Sequence, residues 1–295
     1  MSKAATSLHL ADQAAAAAEE AASRARVDVR ALDDVQTLSG VDELFRTIWG
    51  PTDRNLVGVA ILRALSHSGN YVVGAYDGSK LVGALIGFLG RHDDDQQLHS
   101  HILGVHPDIR DRSIGFALKE HQRAWSLARG ITTVAWTFDP LVARNAYFNL
   151  TKLGAAVTRY YPNFYGDLND DINGHEESDR VLIEWQLDSE PAIAASTLAL
   201  AEPDIASLTS NGAVEALTVA DDGLPSVKNA SADTMLVGIP QDVVALRRND
   251  ADLATRWRHA VREVLGSALD DGYVTAGMTR SGYYVVQRAG QVVTS

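Results

Sequence analysis

The chain has 295 residues, 46% of them hydrophobic, a length that supports one large domain or two smaller ones with buried cores. It contains no cysteine, which excludes disulfides, thiolate metal sites and a cysteine nucleophile. A formal charge of -12 argues against a nucleic-acid partner, no apolar run is long enough to span a membrane, and the first residues lack the basic-then-apolar layout of a secretion signal. The expectation is a soluble, cytoplasmic protein with neither nucleic acid nor membrane as partner.

Residues 1–26 are alanine-dense and favour helix by propensity without a strong apolar stripe, so a frayed or loosely docked extension is expected. From Val27 strand-like and helix-like segments alternate, with a helix from about Gly40 to Trp49. Tyr71–Tyr76 and Leu81–Leu89 read as a hairpin across Asp77-Gly78-Ser79-Lys80, and Leu98–Val105 as a strand stopped by His106-Pro107. Ile114, Leu118, His121, Trp125 and Ala128 recur at helical spacing, with Gly130 placed as a left-handed cap. A strand at Ile131–Phe138, a helix at Arg144–Lys152 ended by Gly154, and strands at Ala155–Tyr165 and Val181–Leu187 follow.

Residues 189–230 lack steady periodicity and read as a linker. The tail, residues 231–295, reads as a small βαββ module that packs on the core or extends its sheet. Its strand Met235–Ile239 is followed by a helix through Leu253, Trp257, Val261 and Leu265. The strands Tyr273–Met278 and Tyr283–Gln287 close it.

The segment from Val105 to Leu118 joins a strand to a helix through a loop holding Arg110, Arg112 and Gly115. Such a loop aims backbone N–H groups at one point, where the helix dipole adds positive charge, and a pyrophosphate fits there. Val105, Pro107, Arg110 and Gly115 match the acetyl-CoA-binding motif Val-x-Pro-x-x-Arg-x-x-Gly-x-Gly/Ala, with Ser113 standing where the first glycine is usual. On this motif and the order of elements around it, residues 27–188 resemble the acyltransferase domain of the GNAT superfamily. The resemblance extends to an uncharacterised subfamily marked by Leu98-His99-Ser100-His101, Trp136-Thr137-Phe138-Asp139-Pro140-Leu141, Asn145-Ala146, Lys152-Leu153-Gly154-Ala155, Tyr165-Gly166 and Asp179-Arg180. Trp257-Arg258, Arg262 and Gly272-Tyr273 continue it into the tail.

The resemblance implies an α/β fold with a mixed sheet, the acyl-CoA N-acyltransferase fold, here carrying the C-terminal βαββ extension. It implies acetyl-CoA, or another acyl-CoA, as co-substrate and an amine of a small molecule or peptide as acceptor. It also implies a gap between the strand ending at Val105 and the next, in which Leu103, Gly104 and Val105 meet pantetheine and their N–H groups polarise the thioester carbonyl. The remaining cofactor-binding positions are Arg110, Asp111, Arg112, Ser113, Ile114, Gly115, Phe116, Ala117 and Asn145, the last also a candidate helix cap.

An amine attacking a thioester must lose a proton, and the departing thiolate is helped by gaining one. The superfamily's base position, six residues before the motif valine, holds His99; His101 lies on the same side by the two-residue strand period. Both are catalytic candidates, and both are also read as hydrogen-bonded strand histidines. The superfamily's acid is the tyrosine of Tyr-x-Lys-x-Gly; Lys152 and Gly154 match but Leu150 takes the tyrosine's place, leaving Tyr147 as an alternative acid or a core residue. Asp139 reads as a turn, and the acidic loop Asp167 to Asp179 as a solvated loop or a rim for a cationic amine.

A zinc site from His92, His99, His101 and neighbouring aspartates competes, but no metal is expected. The absent motif tyrosine also supports a catalytically inactive acyl-CoA sensor or assembly module as a second reading. The apolar tail offers a surface for a homodimer.

Overall fold

The computed structural model describes residues 3–50, 57–92, 95–166, 177–228 and 231–289. In chain order its main elements are α1 (Lys3–Ala25), β1 (Asp28–Ala31), α2 (Val35–Trp49), α3 (Val59–His67), β2 (Tyr71–Asp77), β3 (Lys80–His92) and β4 (Asp95–Val105). A short 3-10 segment, Pro107–Arg112, leads into α4 (Ile114–Leu127), β5 (Thr133–Phe138) and α5 (Ala143–Tyr147), which runs on as a π-helical turn, Phe148–Lys152. Next come β6 (Ala156–Tyr161), β7 (Arg180–Gln186), α6 (Glu190–Ser196), α7 (Ile205–Ser210), β8 (Val214–Val219), β9 (Pro225–Val227) and β10 (Thr234–Gly238). Helices α8 (Val243–Asn249), α9 (Ala251–Val261) and α10 (Ser267–Asp270) precede β11 (Tyr273–Met278) and β12 (Tyr283–Arg288). The chain forms two compact units, residues 1–136 with 186–197, and 137–185 with 198–295.

In the first unit the strands lie in the order β1-β2-β3-β4-β5. All neighbours are antiparallel except β4 and β5, which run parallel. The hairpin turn behaves as its sequence demands: Asp77 pairs with Lys80, and Gly78 takes the positive φ of 61° that a two-residue turn needs. The two faces of β3 follow its alternation. Ala84 and Ile86 join Leu38, Val41, Leu44 and Phe45 of α2 in one apolar cluster. Gly83 turns to the other face, where a Cβ would meet Ile114 and Leu118 of α4 at 3.1 Å. Helix α4 ends as expected, with Gly130 at φ 73° and the Ile131 N–H donating to Ser126 O.

Three expectations need correction. The N-terminal segment is no frayed extension: Ala14, Ala18, Ala21 and Ala25 are buried, and α1 packs along α4. Their spacing of four, three and four residues is a helical stripe, and methyl side chains let two helix backbones approach closely, a signal too weak in hydropathy to mark a face. Residues 189–230 are not a bare linker, since they carry α6, α7, β8 and β9. In the second unit the tail strands do not extend the β6–β7 pair; they build a sheet of their own, β11-β12-β10-β8-β9, completed by β8, which pairs parallel to β10. A parallel partner comes from a distant stretch of chain, so no local turn signal announces it.

Helix α4 also buries charge. Glu120 is fully buried, its carboxylate oxygens accept no hydrogen bond among the described residues, and Arg123 Nη1 stands 4.0 Å away. Burial pushes its carboxyl up to about 7, against the partial opposing pull of Arg123. A carboxyl raised by folding keeps a proton that the unfolded chain releases, so its contribution to stability is lost as pH rises from about 4.5 through 7. Glu120→Gln should therefore gain on the wild type between about pH 5 and pH 8 in denaturant midpoint; a pH-independent difference would contradict this. For the α1 stripe, Ala14→Leu should cost about 1–3 kcal/mol by overpacking, while Leu at exposed Ala15 should change stability by less than about 0.5 kcal/mol.

Candidate functional site

The centre of the first unit is the place where β4 leaves β5. Only two pairs join these strands, Leu98↔Val134 and His99↔Ala135. Beyond them Ser100 to Val105 continue to pair with β3 on one side, and among the described residues no strand registers with them on the other. The bend has a local cause. Ile86 pairs with Ile102 and Gly87 with Ser100, so His101 is the extra residue of a β-bulge, which turns the strand and increases its twist.

The bulge also switches faces. Leu98 lies against the Gly87 position and Ser100 against Lys119 of α4, whereas Ile102 joins the α2 cluster. Gly104 sits beneath α2, where a Cβ would approach Ile48, Trp49 and Phe45 to within 2.7–3.0 Å. Strand edge groups need partners, and this side of β4 is open to one.

His99 pairs across the ladder with Phe88, their ring centroids 4.8 Å apart, and His101 lies 6.0 Å from His99. The two-residue period and the bulge thus leave both imidazoles together. Burial, then His101, then Lys119 push His99 down to about 4, and burial lowers His101 as well. At neutral pH His99 is an uncharged imidazole able to accept a proton. The third ligand of the competing zinc reading, the His92 side chain, and Asp93 and Asp94 lie outside the described residues; among those described no three His, Asp or Glu side chains gather as a metal set.

After Val105 the His106 N–H closes onto Val82 O, and the 3-10 segment delivers the chain to Ser113 at φ 59° and ψ 24°, the left-handed conformation that glycine favours. Serine in place of glycine therefore keeps the loop geometry at the cost of backbone strain. Helix geometry leaves the N–H groups of Ile114 and Gly115 without an intrahelical acceptor at the positive end of α4. Phe116 and Ala117 donate to Ser113 O, and the Ile114 and Ala117 side chains are core residues, so these members of the loop hold its shape.

The two loop arginines part company. Arg112 donates to Ala25 O and Arg26 O at 2.9 and 2.8 Å and pairs with Asp77, capping the C-terminal end of α1. Arg110 and Asp111 are exposed, and Arg110 has no hydrogen-bond or ion-pair partner among the described residues, which leaves its guanidinium available to an anion. Spacing alone gives no way to tell these arginines apart.

Tyr147, Asn145 and Asp139 belong to the second unit. The Tyr147 hydroxyl donates to Glu202 Oε2 at 3.1 Å and accepts from Arg280 Nε at 3.1 Å, so its proton is committed within the unit. Asn145 is exposed and lies inside α5, whose N-cap is Val142; the capping role does not hold. Asp139 is a turn residue, accepting from the Leu141 N–H at 3.0 Å, and more besides. Its other oxygen takes Arg247 at 2.6 Å and Arg258 at 3.1 Å; burial pushes the carboxyl up, and the two guanidiniums hold it below the usual carboxylate range.

Asp179 is gripped likewise by both ends of Arg262, by the Tyr160 hydroxyl and by the Asn163 N–H. Leu150, at the motif tyrosine position, is core. Of the acidic loop, residues 167–176 lie outside the described residues.

The conformation at residue 113 makes a prediction about the loop. Ser113→Val should destabilise the protein by about 1–2 kcal/mol, because a β-branched residue resists a positive φ, whereas Ser113→Gly should not destabilise it. Denaturant melts of the two variants check this.

Comparison with known proteins bears on the same region. Residues 38–154 match the acetyltransferase (GNAT) family. No curated protein sequence matches the chain. Among solved structures it is similar to Naa50 of Arabidopsis thaliana in complex with the bisubstrate analogue CoA-Ac-MVNAL, at 20% identity over 54% of this chain and 97% of that one, with a TM-score of 0.41. It is similar also to the ribosomal-protein-S18-alanine N-acetyltransferase from Escherichia coli, at 15% identity over 55% and 95%, TM-score 0.45. A third is yncA from Salmonella typhimurium with acetyl-CoA, at 18% identity over 61% and 98%, TM-score 0.44. The family match spans α2 to the π-helical turn, taking in the forked strands, the bulge and the loop before α4, so residues 38–154 are similar to the acetyltransferase (GNAT) family.

Proposed function

We propose that this protein transfers the acetyl group of acetyl-CoA to an amine of a small-molecule or peptide acceptor by direct attack, in the cytoplasm, with His99 as general base. The observation that carries the reading is the end of the β4–β5 ladder at His99, which leaves an open strand edge beside a neutral imidazole. In this reading Arg110 and the N–H groups of Ser113 to Gly115 hold the pyrophosphate, and N–H groups from Leu103 to Val105 polarise the thioester carbonyl. As the C–N bond forms and the C–S bond breaks, the amine proton passes to His99, and CoA leaves as the thiolate.

A second reading, an acyl-CoA sensor without turnover, is supported by Leu150 at the motif tyrosine and by the commitment of the Tyr147 hydroxyl to Glu202. Thiol release from acetyl-CoA with a panel of amines, amino acids, polyamines and peptides separates the two: release with some acceptor supports transfer, and binding without release supports the sensor. Under the transfer reading His99→Gln should lower kcat by about 10²- to 10⁴-fold with acetyl-CoA affinity retained. An imidazole whose pKa is lowered to about 4 stays basic on acidification, so the acid limb of kcat/KM should lie near pH 4 and not near 6.5. A limb at the ordinary histidine value would remove His99 as the base.

A further inference from the structure

Lys119 projects from α4 into the first unit and is 3% exposed. Its Nζ lies 2.9 Å from Ser100 Oγ and 3.0 Å from Gln122 Oε1, and 3.5 Å from the centroid of the Trp136 ring. The last pair of the β4–β5 ladder is His99↔Ala135. Ser100 and Trp136 are therefore the first residue beyond the fork on each strand, and a single ammonium touches both. The arrangement depends on the bulge at His101, which turns Ser100 toward α4 while Ile102 faces α2.

Burying an ammonium costs several kcal/mol unless its surroundings compensate. Burial does push the Lys119 amine well below the usual lysine range, while two oxygen acceptors and an indole face favour the charged form. No apolar side chain in this place could hold a hydroxyl on one strand and an aromatic face on the other.

We infer that Lys119 is a positioning residue of the acetyl-transfer site: its ammonium pins Ser100 and Trp136 apart at the fork, fixes the width of the slot between β4 and β5 in which acyl-CoA lies, and keeps a positive charge beside His99. The inference rests on the acyl-CoA reading of that slot. The groups that act on the His99 imidazole are its own burial, His101 on the same strand, and Lys119 from α4; its neighbour on β3, Phe88, carries no charge.

The test uses the full chain with Lys119→Met, which fills the volume of the stem without the charge. Two quantities are measured: the Kd for acetyl-CoA by calorimetry, and the titration midpoint of His99 by NMR of the ligand-free protein, with resonances assigned through His99→Gln. Loss of the wedge should weaken acetyl-CoA binding by about tenfold at unchanged stoichiometry. Loss of the charge should raise the His99 midpoint. A lysine that merely stabilised the fold would lower the melting temperature and leave both quantities alone, so an unchanged Kd or an unmoved midpoint in the folded variant overturns the inference.

If Lys119→Met does not fold, Ser100→Ala carries the binding arm, since it removes the contact on β4 and keeps the cation; weakened binding supports the inference and unchanged binding overturns it. Failure of the wild type to bind acetyl-CoA would sink the cofactor reading instead, and the His99 midpoint, read without ligand, would still judge Lys119.

Discussion

One extra residue in β4 sets the geometry of the fork between β4 and β5. Because His101 has no partner on β3, the strand bends at that point, its ladder to β5 ends at His99, and the backbone from Ser100 onward loses a neighbour. A sheet interior normally satisfies both edges of each strand, so an open edge here is a demand for an external partner. The same irregularity moves Ser100 to the α4 face and Ile102 to the α2 face. It therefore decides which helix supports the fork and which covers the strand beyond it.

The loop that follows depends on strain and on anchoring. Ser113 adopts a backbone conformation that glycine would enter freely, and α4 begins immediately after it with its first N–H groups unspent. Arg112, a candidate ligand by its place in the motif, is instead fastened to the carbonyls at the end of α1 and to Asp77 at the end of β2. The N-terminal helix thus belongs to the framework of this loop, held along α4 by its alanine stripe.

In the second unit, order comes from buried ion pairs. Asp139 holds Arg247 and Arg258, and Asp179 holds Arg262 and Tyr160. Such pairs are costly to break singly, because the surviving partner would be a buried unpaired charge. They give physical content to short sequence marks that had none by themselves: Asp139 and Arg258, and Asp179 and Arg262, are distant in the chain and meet as carboxylate and guanidinium. Tyr147 is similarly fixed by Glu202 and Arg280.

What the sequence determined by itself was the order of elements around the core and the place of the turn before α4, because periodicity, Gly78, Pro107 and Gly130 act locally and each names one conformation. What only the tertiary structure decided was which of two arginines is free, that α1 docks, and that β8 completes a second sheet. It likewise decided that Lys119, one polar residue on an amphipathic helix, stands at the fork. Each of these turns on a contact between residues far apart in the chain, and a bulge, a parallel pairing or a buried ion pair leaves no mark in the spacing of its own neighbours.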